Sequence, residues 1–182
     1  MTAATPTTST WKIDPAHSAA EFKVKHMMIS NVKGKFSGLS GVLSLNEGDP
    51  TLSSVEASIP VSTLTTGDEQ RDGHLKSADF FDAEKFPTLT FKSTKVAKAG
   101  EGELTVTGDL TLHGVTKPVK FAVEGPSEPG KDPWGNTRIG LSATTKINRK
   151  DFELGWNATL ETGGVLVGEV VTLTLDVQFI KA

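Results

Sequence analysis

Near the C-terminus the run VTLTLDVQF, residues 171–179, puts Val171, Leu173, Leu175, Val177 and Phe179 on one side and Thr172, Thr174, Asp176 and Gln178 on the other. Successive strand side chains point to opposite faces, so this period of two describes a strand with one buried face and one wet face. The same pattern recurs over residues 20–28, 43–45, 55–61, 89–91, 104–112, 119–123 and 139–147. A chain dominated by it folds as all-β, and about eight such strands suit a closed antiparallel barrel. A sandwich also buries one face of each strand. Glycines at strand positions, Gly41, Gly108 and Gly140, suit sharply curved strands and favour the barrel.

Punctuation between the runs supports hairpins. HGVTK, residues 113–117, joins two alternating runs, with Gly114 free to take a positive φ. Residues 125–136 form a longer loop. The one clear interruption is residues 65–87, where Asp68, Glu69 and Asp72 load the start of a short helix with acid and Gly73 weakens it. The expectation is a helix and loop insertion around residues 67–82. The chain has 182 residues and no composition shift, so a single domain over residues 11–182 is expected behind a disordered lead of residues 1–10. That lead, MTAATPTTST, has neither the basic nor the apolar region of a secretory signal, which favours the cytoplasm. No apolar run is long enough for a membrane-spanning helix.

Composition narrows the chemistry. The absence of cysteine removes disulfides, thiolate metal sites and a cysteine nucleophile. A formal net charge of −3 offers no global attraction to nucleic acid. The histidines His17, His26, His74 and His113 lack the spacing of a zinc site, so neither a metal nor another cofactor is expected. There is no G-x-S-x-G elbow, P-loop or G-x-G-x-x-G, and no enzyme is expected. Two features ask for an explanation. His26 continues the apolar face of Phe22 and Val24, where an imidazole needs a polar partner. Phe80, Phe81, Phe86 and Phe91 crowd a loop and the strand after it, either as a plug of ordinary core or as a lid over an apolar cavity.

Four segments, in order, carry a resemblance: WKIDPAHSAAEFKVKHMMISNVKGKFSGLSG, DGHLKSADFFDAEKFPTLTFKS, GELTVTGDLTLHGVTKPV and INRKDFELG. Through them the chain, from Trp11 to near its end, resembles the YceI-like family of polyisoprenoid-binding, lipocalin-like proteins. The resemblance implies an extended eight-stranded antiparallel barrel with an apolar channel for a long isoprenoid lipid, a polyprenyl phosphate or isoprenoid quinone, held for carriage, storage or sequestration. It makes Phe22, Val24, His26, Phe36, Ile59, Phe80, Phe81, Phe86, Phe91, Leu110 and Phe152 the expected ligand contacts. His17, His26 and Arg149 become the expected head-group contacts. The glycine that usually follows the R-x-D-F motif is displaced here, because Glu153 and Leu154 precede Gly155. Transient membrane contact and a homodimer are the further partner expectations. Three rivals stay open: a fatty acid or fatty-acid amide as ligand, an enzyme using His17, His26 and Arg149 on an isoprenoid-like substrate, and a barrel with a filled core.

Overall fold

The computed structural model describes residues 7–158, 160 and 164–182. It contains eleven strands: β1 (Thr8–Ile13), β2 (Ala19–His26), β3 (Ser30–Phe36), β4 (Ser40–Asn46), β5 (Ser54–Pro60), β6 (Thr88–Gly100), β7 (Glu103–Leu112), β8 (Val115–Glu124), β9 (Gly130–Lys131), β10 (Thr137–Asn148) and β11 (Val167–Lys181). The single α-helix among the described residues is α1 (Glu69–Lys76). Its N-cap, Asp68, accepts a hydrogen bond from the Arg71 amide at 3.0 Å.

Every strand pairing is antiparallel, and β10 returns to β11. Eight strands thereby close a barrel in the order β11, β1, β4, β5, β6, β7, β8 and β10. The expected eight-stranded antiparallel barrel is the observed architecture, with one exchange in the ring. Strand β1, whose first three residues fall in the expected lead, takes a place there, and β2 does not. The two share one flank of the long β11. Thr172–Asp176 pair with Lys23–Ala19, and Phe179–Lys181 pair with Ile13–Trp11. A one-turn 3-10 segment, Pro15–His17, makes the step between β1 and β2. Strand β3 pairs with β2 and ends the sheet on that side; beyond it runs one isolated bridge, Lys35 to Thr65.

Thr8–Thr10, which fall in the expected lead, are strand. They pair with Asn46–Ser44 of β4. The inward Ser9 disguises the strand, and the fold satisfies it: the Trp11 indole N–H donates to Ser9 Oγ at 2.8 Å, and Ser9 Oγ donates to Glu47 at 3.2 Å. Residues 1–6 of the lead lie outside the described residues.

The core forms two clusters on opposite walls. Trp11, Phe22, Phe36, Leu39, Ile139 and Phe179 centre one, and Val106, Leu110, Phe121, Ile147 and Phe152 the other. Val55, Phe81, Leu89, Leu141, Leu173 and Leu175 touch both clusters, yet are only half-buried. In a closed barrel, inward side chains that keep exposure face an open interior.

Candidate functional site

That interior is an apolar cavity of about 240 Å³, running from Ile13 and Phe179 to Arg149 and Val167. One water needs only about 10–15 Å³ measured this way, so the space is far larger than a packing void. The reading of a filled core is overturned by it. The walls are aliphatic and aromatic over most of their length, as the period-two faces of β4 to β8, β10 and β11 dictate.

One end is roofed by α1, the loop of residues 77–87 and the segment after β10. Leu75, Phe80 and Phe81 project from the roof into the cavity. Phe81 meets Phe36 of β3 edge-on at 5.7 Å, and Phe80 lies 5.3 Å from Trp156. His74 stands edge-on to both Phe80 and Trp156, at 5.1 and 4.8 Å, and its Nε2 is 2.9 Å from Asp79. Trp156 is not among the expected site residues. A lone tryptophan after the R-x-D-F motif is its only signal in the sequence.

Among the described residues, Arg149 is the one cationic side chain lining the cavity. It is 3% exposed. Its Nε donates to the Gly168 carbonyl at 2.7 Å, Nη1 to Leu154 and Trp156 at 2.5 and 2.9 Å, and Nη2 to Val167 at 3.3 Å. The fork geometry of a guanidinium lets one side chain stitch β11 to the roof. Its partners are carbonyls, which carry no formal charge, and among the described residues no carboxylate lies within ion-pair distance. Burial pushes its pKa down, with Glu169 opposing. Glu153 follows with a left-handed φ of 61°, closing the turn from the position where the displaced glycine would sit without strain.

Of the expected contacts, Phe22, Val24, Phe36, Ile59, Phe80, Phe81, Phe91, Leu110 and Arg149 line the cavity. Four others do not line it. His26 ends β2 half-buried, opposite Ser30 and Val167, where the inward face has already reached the rim. His17 is exposed and pairs with Asp14 at 2.7 Å on the barrel's outside. Phe86 packs edge-on to His113 at 5.1 Å and covers Gly114, whose missing Cβ leaves room for the ring. Phe152 is buried in the core cluster without lining the cavity, and its carbonyl stands 3.1 Å from His113 Nδ1. His17, His26 and Arg149 therefore form no common polar set. Among the described residues no three metal-ligating side chains gather.

A closed antiparallel barrel, roofed at one end and hollow along an apolar bore that a buried arginine lines, is a lipocalin-like architecture. The chain belongs to the YceI-like domain family, whose pattern it matches over residues 11–179. It is 44% identical over 139 residues to a UPF0312 protein of Vibrio vulnificus, covering 76% of this chain and 73% of that one. The YCEI protein of Campylobacter jejuni superposes with a TM-score of 0.72 at 31% identity, covering 88% and 91% of the two chains. A polyisoprenoid binding domain from Saccharophagus degradans superposes at 0.66 with 16% identity, covering 94% and 98%, a likeness of fold.

Proposed function

We propose that this protein is a binder, not an enzyme, and that it holds the chain of a long isoprenoid lipid in the bore for carriage, storage or sequestration. The observation that carries this reading is the apolar cavity ending at Arg149. Its apolar lining suits a hydrocarbon chain, and its buried cation suits an anionic or strongly polar head such as a phosphate. The fold shared with the Saccharophagus polyisoprenoid binding domain supports it.

The energetics suit exchange with a bilayer. Burying a methylene from water gives about 0.8 kcal/mol, but a lipid of this kind leaves a membrane, not water. Transfer from one apolar medium to another is near balance, so small differences at the head decide the direction.

The test is solvent extraction of the purified protein and mass spectrometry of the extract, with a Val24→Trp/Leu173→Trp variant filling the bore. A polyprenyl lipid near one per chain, absent from the folded variant, is the expected result. A fatty acid or amide in its place would replace the ligand class. An empty extract from protein purified out of lipid-containing cells would overturn the reading.

A further inference from the structure

The turn between β2 and β3 breaks the rule its own geometry sets. Met27 and Met28 have φ of 53° and 60°, and the Ile29 amide donates to the His26 carbonyl at 3.2 Å. Two consecutive positive φ values are the signature of a primed hairpin turn, where Asn-Gly is favoured and a bulky side chain is strained. The β7–β8 hairpin obeys the rule with His113-Gly114, at φ of 55° and 72°. The β2–β3 hairpin uses two methionines and then Ile29, which are 43%, 59% and 80% exposed. Side chains this exposed gain little from burial to offset that strain. Residues that break a local rule without a gain in stability belong to functional sites.

The tip is not an isolated blemish. Five of the eight large apolar side chains exposed among the described residues, Met27, Met28, Ile29, Val165 and Val170, lie at this end. The Met27 amide donates to Leu166 at 2.7 Å, and the Met28 thioether lies against Gly164. Val170 pairs with Asn148, next to Arg149. His26 at the base of the tip pairs with Val167, whose carbonyl Arg149 also holds. The apolar tip and the cationic end of the cavity are thus built on the same backbone.

The stem is basic. Lys23, Lys25, Lys33 and Lys35 point outward from the hairpin against one acid, Glu21, in a chain whose net charge is −3. Lys23 and Lys33 sit directly opposite each other, a pairing that costs stability unless an anion joins them. Among the described residues none of the four is within ion-pair distance of a carboxylate, and Glu169 beyond the bulge is held by Lys150 at 2.7 Å. Lys23, Lys33 and Lys35, with Glu21, Thr65, Thr172 and Thr174, rim a shallow depression on this face.

We propose that the β2–β3 hairpin docks the roofed end of the barrel onto an anionic bilayer, its Met27-Met28-Ile29 tip entering the acyl boundary and its lysines meeting the head groups. Apolar residues beneath a basic collar are the pattern of interfacial membrane anchors. Docking there brings the Arg149 end of the cavity to the surface from which lipid would be drawn. The purpose rests on the lipid-binding reading, but the contact itself does not.

The test is flotation of the purified chain with vesicles of equal phosphatidylglycerol and phosphatidylcholine, and with phosphatidylcholine alone. Met27→Asn/Met28→Gly/Ile29→Ser gives the turn its favoured residues and removes the apolar tip, so its fold is at least as stable. The expected result is binding to the anionic vesicles, a drop of tenfold or more for the tip variant, and a similar drop for wild type on neutral vesicles. Lys25→Gln/Lys33→Gln should weaken binding and flatten its salt dependence. Equal flotation of wild type and tip variant would overturn the proposal. So would self-association of wild type that the tip variant abolishes, which would make a second copy the occupant. Flotation by a chain whose extract is empty would refute the lipid-carrying reading and leave the docking in place.

Discussion

Asp14 and Asp132 share one cation. Arg138 Nη1 donates to Asp14 at 2.6 Å and Nε to Asp132 at 2.7 Å. The Arg138 bond, and after it the His17 bond, holds the Asp14 carboxyl down from 3.8 to about 2, and the same arginine holds Asp132 at about 2. Unfolded, both titrate near their ordinary values, so the native state binds protons less readily. Their contribution is fully present above about pH 4 and is lost as the pH falls toward 2. Urea unfolding should therefore give a plateau from about pH 5 to 8 and a fall between about pH 4 and 2. Arg138→Gln should flatten that acid limb, and an unchanged limb would remove the clamp from the account. The clamp ties the corner between β1 and β2 to the loop before β10, outside the bore. The D-x-x-H-S motif thus secures a change of strand, although its histidine reads as a ligand group in the sequence. Spacing shows that Asp14 and His17 are neighbours; it does not show which side of the wall they occupy.

Among the elements, the β2–β3 hairpin depends on a pair that crosses it. Phe22 faces Gly34, and a Cβ on residue 34 would enter the Phe22 ring. Gly34→Val should cost about 2 kcal/mol, as overpacking does, and lower Tm by roughly 4–8 °C for a chain of this size. A thermal melt checks it, and an unchanged Tm would mean that Phe22 can leave without loss. The same glycine explains why β3 is not legible in the sequence: its inward residues are Val32, Gly34 and Phe36, and the middle one breaks the apolar alternation. Strand β1 is hidden by Ser9 in the same way. Strands with longer apolar faces can be read directly: β8 and β11 are unbroken over residues 119–123 and 171–179, and β7 and β10 have enough apolar positions to outweigh Gly108 and Thr145. Their alternation also contains the bore, because Leu141, Leu173 and Leu175 sit on faces identified as inward. Loop aromatics carry no such periodicity. Phe80 and Phe86 look alike in the sequence, yet one enters the cavity and the other covers Gly114 outside it.

At the scale of the whole molecule, wall and roof have separate origins. The wall is a continuous ladder, with β10 and β11 paired from Arg138 and Ile180 to Asn148 and Val170. The roof is a set of short pieces around α1, a helix that buries no residue of its own. Arg149 joins the two, so the closing of the cavity and the placing of its charge depend on one side chain. At the opposite end, β1 lies beside the last residues of β11, and the Ala182 amide donates to the Thr10 carbonyl at 2.9 Å. The beginning and the end of the barrel are therefore already neighbours, and the strand order is a ring cut at an arbitrary point. A short glycine–serine linker from residue 182 to residue 7, with new termini opened in the exposed loop of residues 125–136, should give a circular permutant with the same barrel. Its circular dichroism and thermal melt should match those of the parent. A partner fused after Ala182 would leave from the side facing away from the roof and would not obstruct Met28.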